Sequence, residues 1–488
     1  MSMVQAFMSA HRLKEQLPST TQRYDDQEPG SSSPMVIRST FLNEQSTVEV
    51  ELPDGWQRFC NPAEGRPYYR NPLLRILTES NITEGHVLNR VMQWNQIIAP
   101  LASRFTKRDY DVVLNVSGDE GMGSCNYYLV DYAAKEISWL RDLPTTTLGM
   151  PDIRSSNHLK LLLSEQFWVH CEYMPPPHKD FRQNAENLLA TLGVLSIDTL
   201  SSTGSVSPFQ QEECELYSRA LLQALNNGGH IEINWCLGRL HSLITQSRII
   251  NLFGEPNART DRNVVVNGQK SPPETMVFML WSILMFNIPS IYLARWNAIW
   301  VDRVTYTREW RKLTKDVMEE LLYGLIASGV MILASVTLQG LTSSTAIRVL
   351  ATVAMIFAIT SGFYAASLFS KLRTLGGCAA DAANYIQINE HINTGLQTMA
   401  LEHSIPWALI VWSGAFLFVS GLWEIMKNII VILYPAFQGI SRSLGYMLYV
   451  ELDRTEAWYI LSLALNFLIC LQIHQRARIE YAIQKAKK

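Results

Sequence analysis

Hydrophobic and polar positions change rhythm three times along this chain. Between residues 52 and 78 the apolar positions come in short aromatic runs: Trp56-Gln-Arg-Phe59, a turn over Asn61–Gly65, then Pro67-Tyr68-Tyr69-Arg70-Asn71. Aromatic and β-branched runs bounded by turn residues predict strands. A second such stretch, Tyr127–Tyr132 followed by Ile137-Ser138-Trp139, lies behind the turn Asp119–Ser124. Between them the period lengthens to 3.6. Val87, Leu88, Val91, Trp94, Asn95 and Ile98 fall on one face of a helix expected over Ile82–Phe105, with Thr83 as its cap and Pro100 near its end. From 150 to 254 the pattern is helical throughout. Helices are expected from Ser156 to the break at Pro175-Pro176-Pro177, from Lys179 to Leu195, from Ser207-Pro208 to Leu225, and over Ile231–Phe253.

The third rhythm carries no charge. Leu321–Leu341 and Val349–Phe369 each hold 21 residues without Asp, Glu, Lys or Arg. About twenty apolar residues at ~1.5 Å rise cross a bilayer's hydrocarbon core. Ile405–Trp423 and Ala457–Ile473 complete an expected set of four spans. Ile425–Phe437 carries Lys427 and Pro435 and is expected to be interfacial or re-entrant. Met276–Trp296 is apolar but interrupted by Asn287 and Pro289, so it is expected to lie on the headgroups or inside the soluble part, and is not counted as a span.

The fold class expected is mainly α. Residues 1–50 form a polar, disordered leader; 51–145 hold the β-hairpin units and their intervening helix; 150–315 form a helical cytosolic domain; 316–475 form the membrane bundle; 476–488 are a basic tail. Basic residues set the orientation. Arg303, Arg308, Arg311, Lys312, Lys315, Lys371, Arg373 and the five at the C-terminal end give twelve on one side. Arg348, Lys427, Arg442 and Arg454 give four on the other, which places both termini in the cytosol.

The hairpin residues carry a resemblance. Leu52-Pro53-x-Gly55-Trp56 with Gly65-Arg66-x-Tyr68-Tyr69-x-Asn71 resembles a WW domain. That resemblance implies a three-stranded antiparallel sheet with Trp56, Tyr69 and Asn71 as its core and a groove for proline-rich peptides. It places Tyr68 on the ligand face. The family's second Trp should follow that Tyr by eleven residues, where this chain has Glu79. Downstream, Tyr128 and Trp139 keep the spacing, with Tyr132 beside them, so peptide binding is expected at Tyr128, Trp139 and Tyr132 with Tyr68 as a lesser contributor. The alternative is that both hairpins are structural pieces. The whole layout resembles a group of fungal WW-domain-containing multi-pass membrane proteins.

Other chemistry is scarce. No P-loop, His-Glu-x-x-His or Gly-x-Ser-x-Gly sequence occurs, so no catalytic residue, cofactor or metal ligand is nominated. A net charge of −3 speaks against a nucleic-acid partner. Seven scattered cysteines suggest reduced thiols facing the cytosol. The expected function is an integral membrane interaction or scaffold protein with a cytosolic WW-like module, its partners being the lipid bilayer and proline-rich peptides or proteins. A small-solute or lipid facilitator built from the C-terminal spans is the alternative.

Overall fold

The structure is a computed structural model that describes residues 12–21, 52–103, 109–118, 121–266, 268 and 272–437. It is mostly helical with a small N-terminal sheet, and it divides into two compact units at Arg262/Asn263.

In the first unit, two antiparallel three-stranded meanders and one short strand from the N-terminal region build one seven-stranded sheet. The first meander is β2 (Gln57–Cys60), β3 (Pro67–Asn71) and β4 (Ile76–Thr78); the second is β5 (Tyr110–Ser117), β6 (Ser124–Asp131) and β7 (Glu136–Ser138). They are built alike at an offset of 60 residues. Asn71 and Asp131 each open the last turn, accepting from the backbone N–H of Leu74 at 3.0 Å and of Ala134 at 2.9 Å. Arg75 and Lys135 close those turns in the left-handed conformation, φ 56° and 58°. Strands β4 and β5 join in parallel, with Ile76 opposite Val112. A parallel join needs a crossover, and helix α1 (Gly85–Ala102) supplies it.

Strand alternation sends the two sets of side chains to opposite faces. Tyr69, Ile76, Val112 and Tyr127 pack with Trp56 on one face, where α1 covers them with Val91, Trp94 and Ile98. Tyr68, Leu77, Val113 and Tyr128 face the other way, under helix α2 (Ser156–Tyr173), whose Phe167, Trp168 and Cys171 fill that core. The same core takes in α3 (Arg182–Ser201) and α5 (His230–Ile250), with α4 (Gln211–Asn227) beside them. Helix α5 meets α2 at Gly238, where a Cβ would lie 2.4 Å from the Glu172 nitrogen. Only glycine admits so close an approach.

Three expectations change here. The hairpins are not free-standing WW-like units, because each continues into its neighbour and both faces are covered. No boundary falls near residue 150, because α2 completes the core begun by the strands. The polar leader contributes β1 (Leu13–Glu15), which pairs in parallel with Cys125–Tyr127 and buries Leu13. Strand β7 takes the remainder of that edge of β6. Local hydrophobicity did not mark β1, since a three-residue strand needs only a partner with a vacant edge.

Among its described residues the second unit holds three helices long and apolar enough to cross a membrane. Its elements are α6 (Met276–Leu284), α7 (Ile288–Ile299), α8 (Thr307–Leu341), α9 (Thr345–Arg373), α10 (Ala379–Asn389) and α11 (Gln397–Phe437). The apolar helices are α8, α9 and α11. Along them the usual burial pattern is inverted. Gly324, Ser328, Ala351, Ala358, Ser361 and Ala408 face inward, whereas Ile326, Val330, Leu333, Ile356, Phe363 and Phe418 face out. Small residues let the backbones close up. Ser361 Oγ donates to the Pro406 carbonyl at 2.8 Å, and Ser413 Oγ to that of Ala354 at 2.7 Å. Ile425–Phe437 is a continuation of α11 rather than a separate segment, since Pro435 near its end removes little of the hydrogen-bond ladder. The expected span Ala457–Ile473 lies outside the described residues.

Candidate functional site: a proline segment held on the aromatic face

The residues expected to bind proline are already occupied by this chain. Tyr68 is 1 % exposed, stacks on Phe59 at 5.6 Å, and donates its hydroxyl hydrogen to the carbonyl of Pro175 at 2.6 Å. That carbonyl belongs to the triple proline between α2 and α3. The segment is held from its other side by Asn234 of α5, whose amide donates to the carbonyls of Pro176 at 2.8 Å and Lys179 at 2.9 Å. Asn61, in the β2–β3 turn, donates to the carbonyls of Glu172 at 2.8 Å and Tyr173 at 3.1 Å. A proline run has no N–H to contribute, so its carbonyls are its only backbone handles. Two of the three are taken here.

The second meander faces the same region. Tyr128 is 1 % exposed and pairs its hydroxyl with His170 Nδ1 at 3.1 Å. Tyr132 is buried, donates to Asp111 Oδ2 at 3.1 Å, and meets the His178 ring edge-on at 5.2 Å. Thus Tyr68, Tyr128 and Tyr132 share one face of the sheet but form no open groove, because α2 lies over them. Trp139 is half-buried against the edges of both cores, and it donates from Nε1 to the Gln16 carbonyl at 3.2 Å, fastening the segment after β1. Trp56, Tyr69 and Asn71 are buried on the α1 side or at the turn, as positions of a core. Glu79 is also buried at its side chain and lies 4.0 Å from Arg66.

Sequence reasoning missed the charged centre of this face. Arg70 donates from Nε and Nη2 to the two oxygens of Asp111, at 2.9 and 3.2 Å. The side chains are 10 % and 1 % exposed. His178 Nε2 is 3.8 Å from the same carboxylate, and Lys179 pairs with Asp109 while its ammonium lies 5.1 Å from the centre of the Tyr132 ring. A signal existed. Arg70 and Asp111 stand two residues from Tyr68 and Val113 on their strands, so alternation puts both charges on the buried face. A lone buried charge is costly, and these two opposite charges meet across the short strand β4, which separates β3 from β5.

Burial sets the protonation of the neighbours. It pushes His170 down to about 3 and, with help from the Arg70 charge, His178 down to about 4. Both imidazoles are therefore neutral at physiological pH. The Tyr132 phenol is pushed well up by burial and by Asp111, so it remains a donor. With Arg70 and Tyr132 donating three hydrogen bonds to one carboxylate, the arrangement holds strands β3 and β5 and the turn after β6 in one geometry, and His178 packs edge-on against Tyr132.

Compared with known protein families, with curated proteins and with solved structures, the chain matches none.

Proposed function

We propose that this chain is a membrane-embedded interaction protein whose first unit is presented in the cytosol as a rigid scaffold. Its WW-like aromatic face works in cis, clasping the chain's own proline segment through Tyr68. Partner binding then falls to other surfaces than the Tyr128–Trp139 groove.

One observation carries the membrane part. Polar groups form two belts across the apolar helices. On one side Lys371 lies 3.8 Å from Glu402, and Arg295 donates to Glu320 at 2.7 Å. On the other, Thr342 donates to Glu424 at 3.0 Å and Arg348 to the Thr342 carbonyl at 3.1 Å. The belts stand 22 residues apart on α8, 23 on α9 and 22 on α11. At ~1.5 Å per residue each separation is about 33 Å, against a hydrocarbon core of about 30 Å. Three helices with the same polar-to-polar length, and large apolar side chains facing outward, fit a bilayer. Arg303, Arg308, Arg311, Lys312 and Lys315 gather on the side of the first belt, which supports a cytosolic first unit.

The test is protease protection in sealed vesicles bearing the full-length protein tagged at its N-terminus. Digestion of the tag from the cytosolic face, with α8–α9 recovered in carbonate-washed membranes, is the expected result. Release of α8–α9 by carbonate refutes the embedding, and a protected tag refutes the orientation. A fluorescent proline-rich peptide should not bind the wild-type chain; saturable binding lost in Trp139→Ala would restore the open-groove reading.

A further inference from the structure

We propose that α6 and α7 form a re-entrant hairpin that dips into the cytosolic leaflet and returns without crossing. This rests on the membrane reading of α8, α9 and α11. The segment enters beside Thr275, which caps α6 and donates to Gln397 Oε1 at 2.8 Å, five residues on the cytosolic side of Glu402. It leaves beside Arg295, which is bound to Glu320 in the cytosolic belt. Its turn lies deep between those points. The Leu284 carbonyl accepts from Trp412 Nε1 at 3.1 Å, and Phe286 packs on Trp412 with ring centres 5.3 Å apart. Trp412 is ten residues beyond Glu402 and its ring leans back toward the belt, while Met285 of the turn reaches Ser404 Oγ at 3.5 Å, so the turn sits less than about 15 Å below the belt, within the cytosolic half of a core of about 30 Å. The returning arm agrees: Asn287 to Arg295 is eight residues, about 12 Å.

Broken backbone at that depth is tolerated only where its polar groups are satisfied. Here they are. Phe286 and Asn287 turn the chain in the left-handed conformation, both at φ 58°. The N–H groups of Met285, Phe286, Asn287 and Ile288 all donate back to carbonyls of the hairpin, at 2.7 to 3.2 Å. Ser282 Oγ lies 2.9 Å from Ser290 Oγ and 3.4 Å from Asn287 Oδ1, so the polar side chains at the tip serve one another. The outer surface is apolar. Val277, Leu280, Trp281, Ile283 and Leu284 are all about half exposed or more, Leu280 at 64 %, and no charged residue occurs from Met276 to Ala294. A nine-residue helix with this much bare apolar surface, fastened inside the belt to a spanning helix, meets acyl chains. Lying flat on the headgroups would leave the Trp412 contact unmade.

The experiment uses the full-length protein in phosphatidylcholine vesicles carrying a photoreactive diazirine either near the headgroup or in the terminal third of the acyl chain. Adducts are mapped by peptide mass spectrometry. The deep probe is expected to mark Met276–Leu284 as well as the outward faces of α8 and α9. Deep-probe adducts on α8 and α9 with none on α6, or α6 marked only by the headgroup probe, overturn the hairpin while leaving the spans standing. Absence of deep-probe adducts from α8 and α9 overturns the membrane reading and the hairpin with it. Asn287→Cys should resist an impermeant maleimide applied from the far face; labelling there would show a crossing and overturn the proposal.

Discussion

Removing Asp111 tests whether the ion pair on the aromatic face holds the first unit together. Asp111→Ala strips the Arg70 guanidinium of both its carboxylate contacts, 2.9 and 3.2 Å, in a site where Arg70 is 10 % exposed. Breaking a buried pair from one side costs about 3–5 kcal/mol, because the remaining charge is desolvated without compensation. Tyr132 also loses its acceptor, an effect of about 1–3 kcal/mol by itself. The two share one site and do not add, so a total of about 3–5 kcal/mol is expected. Arg70→Met with Asp111→Leu removes both charges and refills the volume. That double variant should be more stable than Asp111→Ala, since replacing a whole buried pair by apolar groups is often near neutral. Two native thiols report the unfolding: Cys125 on the α1 side and Cys171 on the α2 side are both fully buried. Their labelling by a maleimide, followed against urea with the full-length protein in membranes, gives a midpoint for each face. A midpoint shift equivalent to less than about 1 kcal/mol for Asp111→Ala, or a double variant weaker than the single, would refute the structural role, because a screened pair contributes only that much.

The same thiol assay checks two further expectations, and hydrogen exchange checks a third. Acidification should weaken the first unit: burial holds His170 at about 3 and His241 at about 4, below their ordinary 6.5, so the unfolded chain takes up protons first. That contribution is whole above about pH 6.5 and is lost as pH falls towards 4, by about 1.4 kcal/mol per pH unit for His170; a flat profile over that window would contradict the burial of these rings. Gly238→Ala forces a methyl against the α2 backbone at Glu172 and should cost about 1–3 kcal/mol, read as a lower urea midpoint at Cys171. Trp139→Ala should speed hydrogen exchange at Leu13–Glu15, whose following residue Gln16 it holds, while leaving β3 unchanged; equal acceleration in β3 would place Trp139 in the common core instead.

By itself the sequence determined what depends on short-range pattern and on length. The two aromatic meanders, the crossover helix with Trp94 inward, and three uncharged runs long enough to cross a membrane all follow from periods of 2 and 3.6 and from ~1.5 Å per residue. The WW resemblance implied Trp56 as a core residue, and it is 7 % exposed. What only the tertiary structure decided is what covers each face. A strand's alternation says that Tyr68 and Tyr128 point the same way, but not whether solvent, a foreign peptide or α2 lies over them. The aromatic runs marked strands and gave no information on what those strands pack against. Likewise Asn287 and Pro289 told that Met276–Trp296 breaks, while the partner of its turn, Trp412, lies more than a hundred residues away. The pairing of Arg70 with Asp111 was decided by the parallel join of β4 and β5, which brings the two meanders into a single sheet. Such long-range contacts carry no local signature, because the side chains that satisfy them are adjacent only after the chain has folded.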